Sequence, residues 1–368
     1  MKKVILILAN NDMGLYKFRK EFMQRLVEEN FKVYISLPKG PYVPMLKDLG
    51  CEYIDTPIKR RQKNPITDIK LLVKYVEIIK KVHPDVVLTY TIKPNIYGGL
   101  ACRITKTPYI ANVTGLGTAI ENVGLLQKIT LKLYKIGLKK SAVVFFQNES
   151  NKLFFVKNNI IKTKTRLIPG SGVNINKYNF AEYPSQSEKI KLLFIGRIMK
   201  AKGINELLES AKRIKQKYPG VEFDIIGSSK EENYAPLLEK LKTNNIINYH
   251  GRQDDVYSFI KNSHAIINPA HHEGMSNVLL ESASTGRPIL ASDIPGCRET
   301  FNEGVSGLGF EVKNVDSIVE TIIKFIELPY EEKKKMGLAG RRKMEKEFDR
   351  NIVVKAYINE IDCIINKN

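Results

Sequence analysis

The chain has 368 residues, and its 59 Lys+Arg against 39 Asp+Glu leave a net charge of +20 at pH 7. This length favours two domains of roughly 180 residues each, and a hydrophobic content of 43% excludes a wholly disordered protein. Four cysteines that lie far apart, with no Cys-x-x-Cys pair, argue against a disulfide scaffold and against a cysteine-based zinc site.

Positive charge is concentrated in the first half of the chain. Residues 1–180 contain 31 Lys+Arg and 12 Asp+Glu, whereas residues 181–368 contain 28 and 27. This asymmetry indicates that the first half faces a polyanion, which could be nucleic acid, anionic lipid headgroups or a phosphorylated substrate. A lysine-rich protein from an AT-rich genome is the alternative, but it would carry its charge evenly.

The first residues superficially resemble a signal peptide, because Lys2 and Lys3 precede the apolar run 4–9. Asn10, Asn11 and Asp12 end that run after about six residues, which favours a buried strand. No apolar stretch approaches the roughly 18–20 residues needed to cross a bilayer. We therefore expect a protein that is soluble and cytoplasmic, or one that is attached to a membrane surface.

Short apolar runs alternate with helix-length amphipathic segments in the first half. The predicted strands are Val4–Leu8, Val33–Leu37, Val86–Tyr90, Tyr109–Val113, Val143–Gln147 and Arg166–Pro169. Leu15–Asn30 and Ile66–Val82 are predicted helices between them. Continuous Val/Ile runs separated by helices are typical of parallel strands covered on both faces, so the first half is predicted to be a doubly wound α/β sheet.

Residues 174–189 are polar and aperiodic, which predicts an inter-domain connection. A second α/β series follows, with strands Lys191–Ile195, Glu222–Ile226, Ile247–Tyr249, Ala265–Asn268, Ile289–Ala291 and Leu308–Val312. Its predicted helices are Asn205–Lys217, Tyr234–Lys242, Val256–Asn262, Ser276–Thr285 and Val315–Glu327, and a charged helical segment, Tyr330–Ile365, ends the chain. The expected fold is two Rossmann-like domains facing each other across a cleft.

The first chemically informative segment follows the strand Lys191–Ile195. Gly196 permits a tight turn, and Arg197 and Lys202 place two cations at the carboxyl end of the strand, before Gly203 and a helix. A guanidinium fork and an ammonium beside a helix amino terminus suit a diphosphate. Two solvated loop cations are the alternative.

A second segment contains His271, His272, Glu273 and Gly274, followed by the helix that includes Glu281. Gly274 allows close approach of a ligand, and the amides of Met275, Ser276 and Asn277 are predicted to point at an anion. The two glutamates, eight residues apart, could accept hydrogen bonds from sugar hydroxyls. Adjacent histidines on a strand point to opposite faces, so we predict no metal site.

These motifs resemble those of the family 4 retaining glycosyltransferases of GT-B fold. The resemblance rests on Gly196-Arg197…Lys202-Gly203, Glu273-Gly274…Asn277…Glu281, Gly286-Arg287-Pro288 and Pro295-Gly296…Glu299…Gly304…Gly307. It implies an amino-terminal acceptor-binding domain over residues 1–180, a nucleotide-sugar-binding domain over 181–345, and a terminal helix over 346–368 that packs back on the first domain.

The resemblance also implies roles for individual residues. Arg197 and Lys202 would neutralise the diphosphate of the donor, the amides near Met275 and Ser276 would hold its distal phosphate, and Glu273 would contact the transferred sugar. Glu281 would accept hydrogen bonds from the ribose hydroxyls. The segment His250-Gly251-Arg252 resembles the stretch that lies against the nucleotide base, so Arg252 is a predicted donor-binding residue. Arg197, Lys202 and Glu273 are thus the predicted catalytic residues.

In the first half, Gly14 is the nearest match to a family glycine whose backbone approaches the phosphates, although the usual paired glycines are absent. Thr114 stands where many relatives have a histidine near the acceptor, and a threonine does not serve as a general base. Thr114-Gly115-Leu116-Gly117 resembles the branch that acts on polyprenyl-diphosphate-linked glycans of capsules, O-antigens and N-linked glycans.

Two basic segments predict where the first domain meets a membrane. One is the cluster 59–63, and the other is the helix Leu125–Leu138, with Lys128, Lys132 and Lys135 on one side. Leu131, Leu133, Ile136 and Leu138 are predicted to lie largely on the opposite side. A basic amphipathic helix suits an anionic bilayer surface, and an ordinary solvated helix is the alternative.

Together with these residues, the resemblance implies a retaining glycosyltransferase that needs no metal or other cofactor and associates peripherally with the inner face of the cell membrane. Its donor would be a UDP-sugar and its acceptor a polyprenyl-diphosphate-linked saccharide. Two alternatives stay open: a UDP-sugar epimerase of the same fold class, and a non-catalytic nucleic-acid-binding protein. No RNP-like, zinc-finger or helix-turn-helix signature supports the second, so nucleic acid is not an expected partner.

Overall fold

The computed structural model describes residues 2–58, 64–115, 124–229 and 234–367. The chain forms two compact units, the first comprising residues 1–171 and 351–368 and the second residues 172–350. The division thus falls at 171/172 and 350/351, where the sequence predicted 180/181 and 345/346. The predicted cluster 59–63 lies outside the described residues.

Residues 174–189 are part of the second unit and do not form the predicted free connection. Val173 and Tyr178 are buried in the core of this unit. Arg341 donates hydrogen bonds to the carbonyl oxygens of Ile175 and Tyr178, at 3.1 Å each. The segment looked like a linker because its backbone is held by side chains distant in sequence, which leave no local periodicity.

Seven parallel strands form the sheet of the first unit, in the order β3-β2-β1-β4-β5-β6-β7. They are β1 (Val4–Leu8), β2 (Lys32–Leu37), β3 (Glu52–Asp55), β4 (Val86–Tyr90), β5 (Tyr109–Val113), β6 (Val143–Phe146) and β7 (Thr165–Leu167). The helices are α1 (Asp12–Glu28), α2 (Val43–Asp48), α3 (Pro65–Val82), α4 (Gly99–Thr105), α5 (Leu125–Leu138) and α6 (Glu149–Lys157). A π-helix, Pro94–Gly98, precedes α4.

Six parallel strands form the sheet of the second unit, in the order β10-β9-β8-β11-β12-β13. They are β8 (Lys191–Ile195), β9 (Glu222–Ile226), β10 (Asn248–Tyr249), β11 (Ala265–Asn268), β12 (Ile289–Ser292) and β13 (Gly307–Phe310). The helices are α7 (Ile204–Lys217), α8 (Tyr234–Thr243), α9 (Tyr257–Lys261), α10 (Asn277–Ser284), α11 (Val315–Glu327) and α12 (Tyr330–Lys343). The last helix, α13 (Arg350–Ile365), returns to the first unit.

The predicted fold class is confirmed: both units are doubly wound parallel sheets. Central strands such as β4 and β5 are buried throughout, because helices cover both faces of the sheet. The predicted single segment Tyr330–Ile365 is broken into α12, a π-helix (Met344–Phe348) and α13. Strand β3 and the short helices α2, α4 and α6 were not predicted.

The strand order reverses at one point in each sheet, between β1 and β4 and between β8 and β11. The chain leaves the carboxyl ends of the two strands in opposite directions there, which opens a crevice at the edge of the sheet. Ligands of doubly wound proteins bind at this switch point. It is therefore where functional side chains are expected in each unit.

No helix of the described residues is both long enough and apolar enough to span a bilayer.

Candidate active site

Arg197 and Lys202 lie beside the switch point of the second unit, in the segment that follows β8. The side chain of Arg197 is exposed, and no described residue pairs with its guanidinium. Lys202 ends a 3₁₀ turn, Lys200–Lys202, and Gly203 follows it with φ +69°. A Cβ at Gly203 would lie 1.9 Å from the carbonyl oxygen of Pro269, so only glycine lets this turn pack against the end of β11.

Glu273 lies on the other side of the same switch point and forms an ion pair with Lys202. The Lys202 Nζ to Glu273 Oε1 distance is 2.5 Å, and the two side chains are only 19% and 15% exposed. The fold therefore brings together two residues that are 71 positions apart, as the predicted site requires. An ion pair this well shielded from water is stronger than a surface pair, so it fixes both side chains.

Met275, Ser276 and Asn277 lead into α10, where three amides were predicted to face an anion. For Ser276 this prediction is wrong, because its N–H donates to the carbonyl oxygen of Gly296 at 2.8 Å. Its hydroxyl accepts a hydrogen bond from Asn268 Nδ2 at 2.8 Å. The N–H groups of Met275 and Asn277 donate to no described residue, and the buried Oδ1 of Asn277 has no described partner. These two amides are the ones that an anion could bind.

Gly296 and Glu299 hold this loop in place, a role that sequence reasoning missed. The carboxylate of Glu299 accepts a hydrogen bond from the Gly296 N–H at 2.6 Å. Gly296 has φ +86°, and a Cβ there would lie 2.6 Å from the carbonyl oxygen of Glu273. The Pro295-Gly296…Glu299 spacing was visible in the sequence, but only the fold shows that it supports the segment that begins at Glu273.

Glu281 lies in the second turn of α10, near Tyr178. Burial raises the pKa of the Tyr178 hydroxyl, and the neighbouring Glu281 carboxylate raises it further. This phenol stays protonated and is a hydrogen-bond donor to the Glu281 carboxylate. Gly274 lies between Glu273 and the start of α10 and is half-buried, as a residue at the edge of a crevice would be.

Arg252 follows β10 at the same edge of the sheet, but no described contact joins it to the Lys202–Glu273 pair. Its side chain is exposed and reaches Asp254 at 3.5 Å. The preceding His250 is turned toward the sheet, where its Nε2 lies 2.7 Å from Asp224 Oδ1. The N–H of Gly227 donates to the carbonyl oxygen of Gly251 at 2.8 Å, so the loops after β9 and β10 are joined.

The two adjacent histidines, His271 and His272, have different surroundings. His271 is buried, and its Nε2 lies 3.0 Å from Glu206 Oε1, whereas His272 is exposed. Among the described residues, no group of three or more histidine, cysteine or acidic side chains is arranged to hold an ion. His271 also donates its N–H to the carbonyl oxygen of Ala201, so the Glu206–His271 pair supports the turn that contains Lys202.

Gly14 belongs to the first unit and lies in the first turn of α1. Its N–H donates to the side chain of Asn11, the N-cap residue, at 2.6 Å. A Cβ at this position would lie 2.9 Å from the same Asn11 oxygen, so the glycine keeps the cap compact. Its predicted approach to phosphates stays a prediction.

Family profiles match both halves of the chain. The profile described as "Glycosyl transferase 4-like" matches residues 4–148, and that described as "Glycosyl transferases group 1" matches residues 176–343. The second match contains every nominated residue from Gly196 to Glu281. The chain is a family 4 glycosyltransferase.

Three curated relatives of this glycosyltransferase span most of its length. A Campylobacter jejuni N,N'-diacetylbacillosaminyl-diphospho-undecaprenol α-1,3-N-acetylgalactosaminyltransferase is 28% identical and covers 97% of this chain and 98% of its own. The Staphylococcus aureus capsular polysaccharide biosynthesis glycosyltransferase CapM is 26% identical, with 95% and 93% covered. An Escherichia coli UDP-Gal:α-D-GlcNAc-diphosphoundecaprenol α-1,3-galactosyltransferase is 25% identical, with 84% of each covered.

Solved structures share the fold of this glycosyltransferase over its whole length. A Rickettsia africae glycosyltransferase superimposes with a TM-score of 0.84 at 22% identity, covering all of both chains. The Anabaena protein HepE in complex with UDP gives a TM-score of 0.79 at 17% identity, covering 99% of this chain and all of its own. At these identities the likeness confirms the fold alone.

Proposed function

We propose that this enzyme transfers a sugar, with retention of anomeric configuration, from a UDP-sugar to a polyprenyl-diphosphate-linked saccharide. The observation that supports this most is the composition of the switch point in the second unit. There the unpaired guanidinium of Arg197, the ammonium of Lys202 and the amides of Met275 and Asn277 are all donors. These donors include two cations, of which only Lys202 is offset by a carboxylate, so the set suits a diphosphate better than a neutral ligand.

The chemistry follows from that donor set. The bond between the anomeric carbon and the diphosphate oxygen breaks, and the acceptor hydroxyl attacks on the same face. The departing phosphate oxygen takes the proton of that hydroxyl, so no side chain is needed as a base. Arg197, Lys202 and the free amides stabilise the charge that develops on the leaving group, which lowers the barrier.

Lys202 forms an ion pair with Glu273, and this pair has a direct consequence for donor binding. A diphosphate that arrives at Lys202 competes with the Glu273 carboxylate for the same ammonium. Once Lys202 turns to the phosphate, Glu273 is released to accept hydrogen bonds from the transferred sugar. Glu281, in the second turn of α10, is the proposed hydrogen-bond acceptor for the ribose hydroxyls.

The proposed substrates are those named in the relatives. The Escherichia coli relative is named for UDP-galactose, and HepE was solved with UDP. The Campylobacter jejuni and Escherichia coli relatives are named for acceptors linked to undecaprenol through a diphosphate.

We propose that no divalent metal is required, because Arg197 and Lys202 supply the positive charge with which a metal would offset the diphosphate.

A membrane-bound acceptor requires the enzyme to reach a bilayer surface, and the first unit is the proposed contact. Lys128, Lys132 and Lys135 of α5 are exposed, and the helix has no acidic residue. Ile136 was predicted to face away from these lysines, but its exposed fraction is 45%. Ile129 and Leu125 of the same helix are 46% and 75% exposed. Apolar side chains interspersed with lysines suit a bilayer interface.

The donor proposal is tested by thermal shift with UDP-, GDP- and ADP-sugars, with and without EDTA. We expect stabilisation by UDP-sugars that EDTA leaves unchanged. Replacing Arg197 or Lys202 by Ala should lower kcat by on the order of 10²-fold, because each removes charge stabilisation from the leaving group.

Lys200→Ala is the matched control, since Lys200 is an exposed lysine of the same 3₁₀ turn. Its turnover should stay within twofold of the wild type, a margin of about 0.4 kcal/mol. Unchanged turnover in both Arg197→Ala and Lys202→Ala would contradict the proposed catalysis.

A further inference from the structure

The switch point of the first unit contains a strained residue. Thr91, directly after β4, has φ +75°, a left-handed conformation that is unfavourable for a β-branched side chain. Its hydroxyl is buried and has no hydrogen-bond partner among the described residues. Strain of this kind persists only where surrounding contacts enforce it, and it clusters at ligand-binding sites.

The residues after Thr91 are held firmly in this unusual path. The chain continues into the π-helix Pro94–Gly98, a form that is rare and frequent at functional sites. The fully buried side chain of Asn95 accepts a hydrogen bond from Thr89 Oγ1 at 2.7 Å and donates to the carbonyl oxygen of Asn112 at 2.8 Å. Asn95 thus ties the segment to both β4 and β5, so the strain cannot relax.

This path positions a polar triad of Asp68, Lys93 and Tyr97. Lys93 Nζ lies 2.7 Å from Asp68 Oδ1, and the Tyr97 hydroxyl donates to Asp68 Oδ2 at 2.9 Å. The side chains of Lys93 and Asp68 are each 16% exposed, so the pair is shielded without being sealed from solvent. Burial raises the pKa of Tyr97, and Asp68 raises it further, which keeps the phenol protonated as a donor.

The chemistry of the triad selects among ligands. The triad contains one cation and one carboxylate, and it lacks the additional guanidinium that Arg197 adds to the Lys202–Glu273 pair, so it is close to neutral and suits a phosphate less well. The Asp68 carboxylate uses one hydrogen bond at each oxygen and has lone pairs left to accept more. Fixed acceptors beside fixed donors suit a ligand whose hydroxyl groups both donate and accept, which is the property of a saccharide.

We propose that Asp68, Lys93, Tyr97 and the hydroxyl of Thr91 form a subsite for the saccharide of the acceptor, at the switch point between β1 and β4. This inference rests on the proposed function and adds to it where the sugar of the acceptor is recognised. The recognised group is the saccharide, and the diphosphate and lipid of the acceptor lie outside the subsite.

Calorimetric titration of the full chain with two probes tests the subsite. The probes are N-acetylglucosamine linked to farnesol through a diphosphate, and farnesyl diphosphate without sugar. Asp68→Asn and Lys93→Met should raise the Kd of the glycosylated probe by about 10-fold or more, because each removes a hydrogen bond to a charged group. The Kd of farnesyl diphosphate should stay unchanged.

Two further variants guard against a merely structural effect. Thr91→Gly removes the hydroxyl while relieving the strain, so it should keep or raise Tm and still weaken the glycosylated probe. Lys3→Met is the matched control, since Lys3 also pairs with an aspartate, Asp85, at 3.3 Å. This pair lies at the amino-terminal ends of β1 and β4, whereas the subsite lies at their carboxyl ends. Its affinity for both probes should equal that of the wild type.

Equal weakening of both probes, or no weakening of the glycosylated one, would overturn the subsite. The subsite would also be overturned if the wild-type chain bound both probes no more tightly than Asp68→Asn does. Donor binding is measured on the same variants as the UDP-induced rise in Tm, which should be unaffected. If UDP fails to raise Tm in any variant while the glycosylated probe binds as described, the donor proposal fails and the saccharide subsite stands.

Discussion

Residue 264 illustrates how much a single buried side chain can impose on stability. His264 is 3% exposed, and its Nδ1 accepts a hydrogen bond from the Lys191 N–H at 3.1 Å. Burial lowers the pKa of His264 to about 4. The ring is therefore uncharged when the second unit is folded. A proton at Nδ1 would break the hydrogen bond from Lys191, the first residue of β8.

The free energy of unfolding should therefore depend on pH through His264. The unfolded chain protonates this ring near pH 6.5 and the folded chain near pH 4. Stability is complete above pH 6.5 and falls as the pH drops toward 4, by about 3 kcal/mol from this residue. Urea unfolding of the wild type and His264→Gln between pH 7 and 4 checks this. The prediction is contradicted if the free energy of unfolding falls with decreasing pH to the same extent in both proteins.

Candidate site residues could be selected from the sequence where charged side chains lie next to glycines, but contacts between residues distant in sequence could not; the roles of the candidates stay predictions. Arg197, Lys202 and Glu273 stand out in the sequence because cations and carboxylates flank glycines at strand ends. Nothing in the sequence indicates that Glu299 caps Gly296, or that Asp68 meets a lysine 25 positions away. The bond between Ser276 and Gly296 was missed for the same reason.

Among the elements, α13 is attached to the first unit by several buried side chains, of which Tyr357 is the largest. The ring of Tyr357 is fully buried and lies 4.6 Å from that of Phe145 and 5.0 Å from that of Phe22, between centroids. The guanidinium of Arg19 lies 5.7 Å from its centre, and its hydroxyl donates to Asn112 Oδ1 at 2.5 Å. This side chain joins α13 to the sheet core.

Tyr357→Ala should destabilise the first unit by about 3–5 kcal/mol, because it empties a large volume in a packed core. Tyr357→Phe keeps the ring and loses only the hydroxyl, so it should cost about 1 kcal/mol. Urea denaturation monitored by circular dichroism measures both. Equal losses from the two variants would show that the hydroxyl, and not the ring, attaches α13.

Elements were predictable when their burial is uniform. The bounds of β1, β4, β5 and β8 match the prediction, because strands covered on both faces read as continuous apolar runs. Strand β3 was missed because it is an edge strand whose residues are half-buried or exposed. The missed helices α2, α4 and α6 have six, seven and nine residues, so the 3.6-residue period is brief in each, although α9 and α10, which are also short, were predicted.

On the scale of the whole molecule, the charge asymmetry survives the revised boundaries. The first unit contains 32 Lys+Arg and 14 Asp+Glu, a net charge of +18, and the second contains 27 and 25, a net charge of +2. A lysine-rich composition alone would not separate along the division between two independently packed cores. The asymmetry therefore supports the proposal that the first unit contacts an anionic surface.

Binding to phosphatidylserine vesicles should follow that asymmetry. Replacing the three lysines of α5 by Glu should weaken vesicle binding by on the order of 100-fold at low salt, since each cation contributes about 1 kcal/mol at an anionic surface. Co-sedimentation with vesicles of phosphatidylserine and phosphatidylcholine measures the effect. The matched control replaces three lysines of α7 in the second unit, Lys212, Lys215 and Lys217. If both triple variants lose binding equally, general charge and not α5 is responsible.

The path of the chain makes the second unit an insertion within the first. Residues 172–350 enter and leave at neighbouring points: the Val173 N–H donates to the Phe348 carbonyl oxygen at 2.8 Å, and the Arg350 N–H donates to that of Val173 at 2.9 Å. Two cuts at neighbouring positions of the chain would therefore separate the second unit, the proposed donor-binding unit, as one segment whose two ends lie side by side. Chimeras that exchange this segment between relatives should then separate donor choice from acceptor choice without disturbing either core.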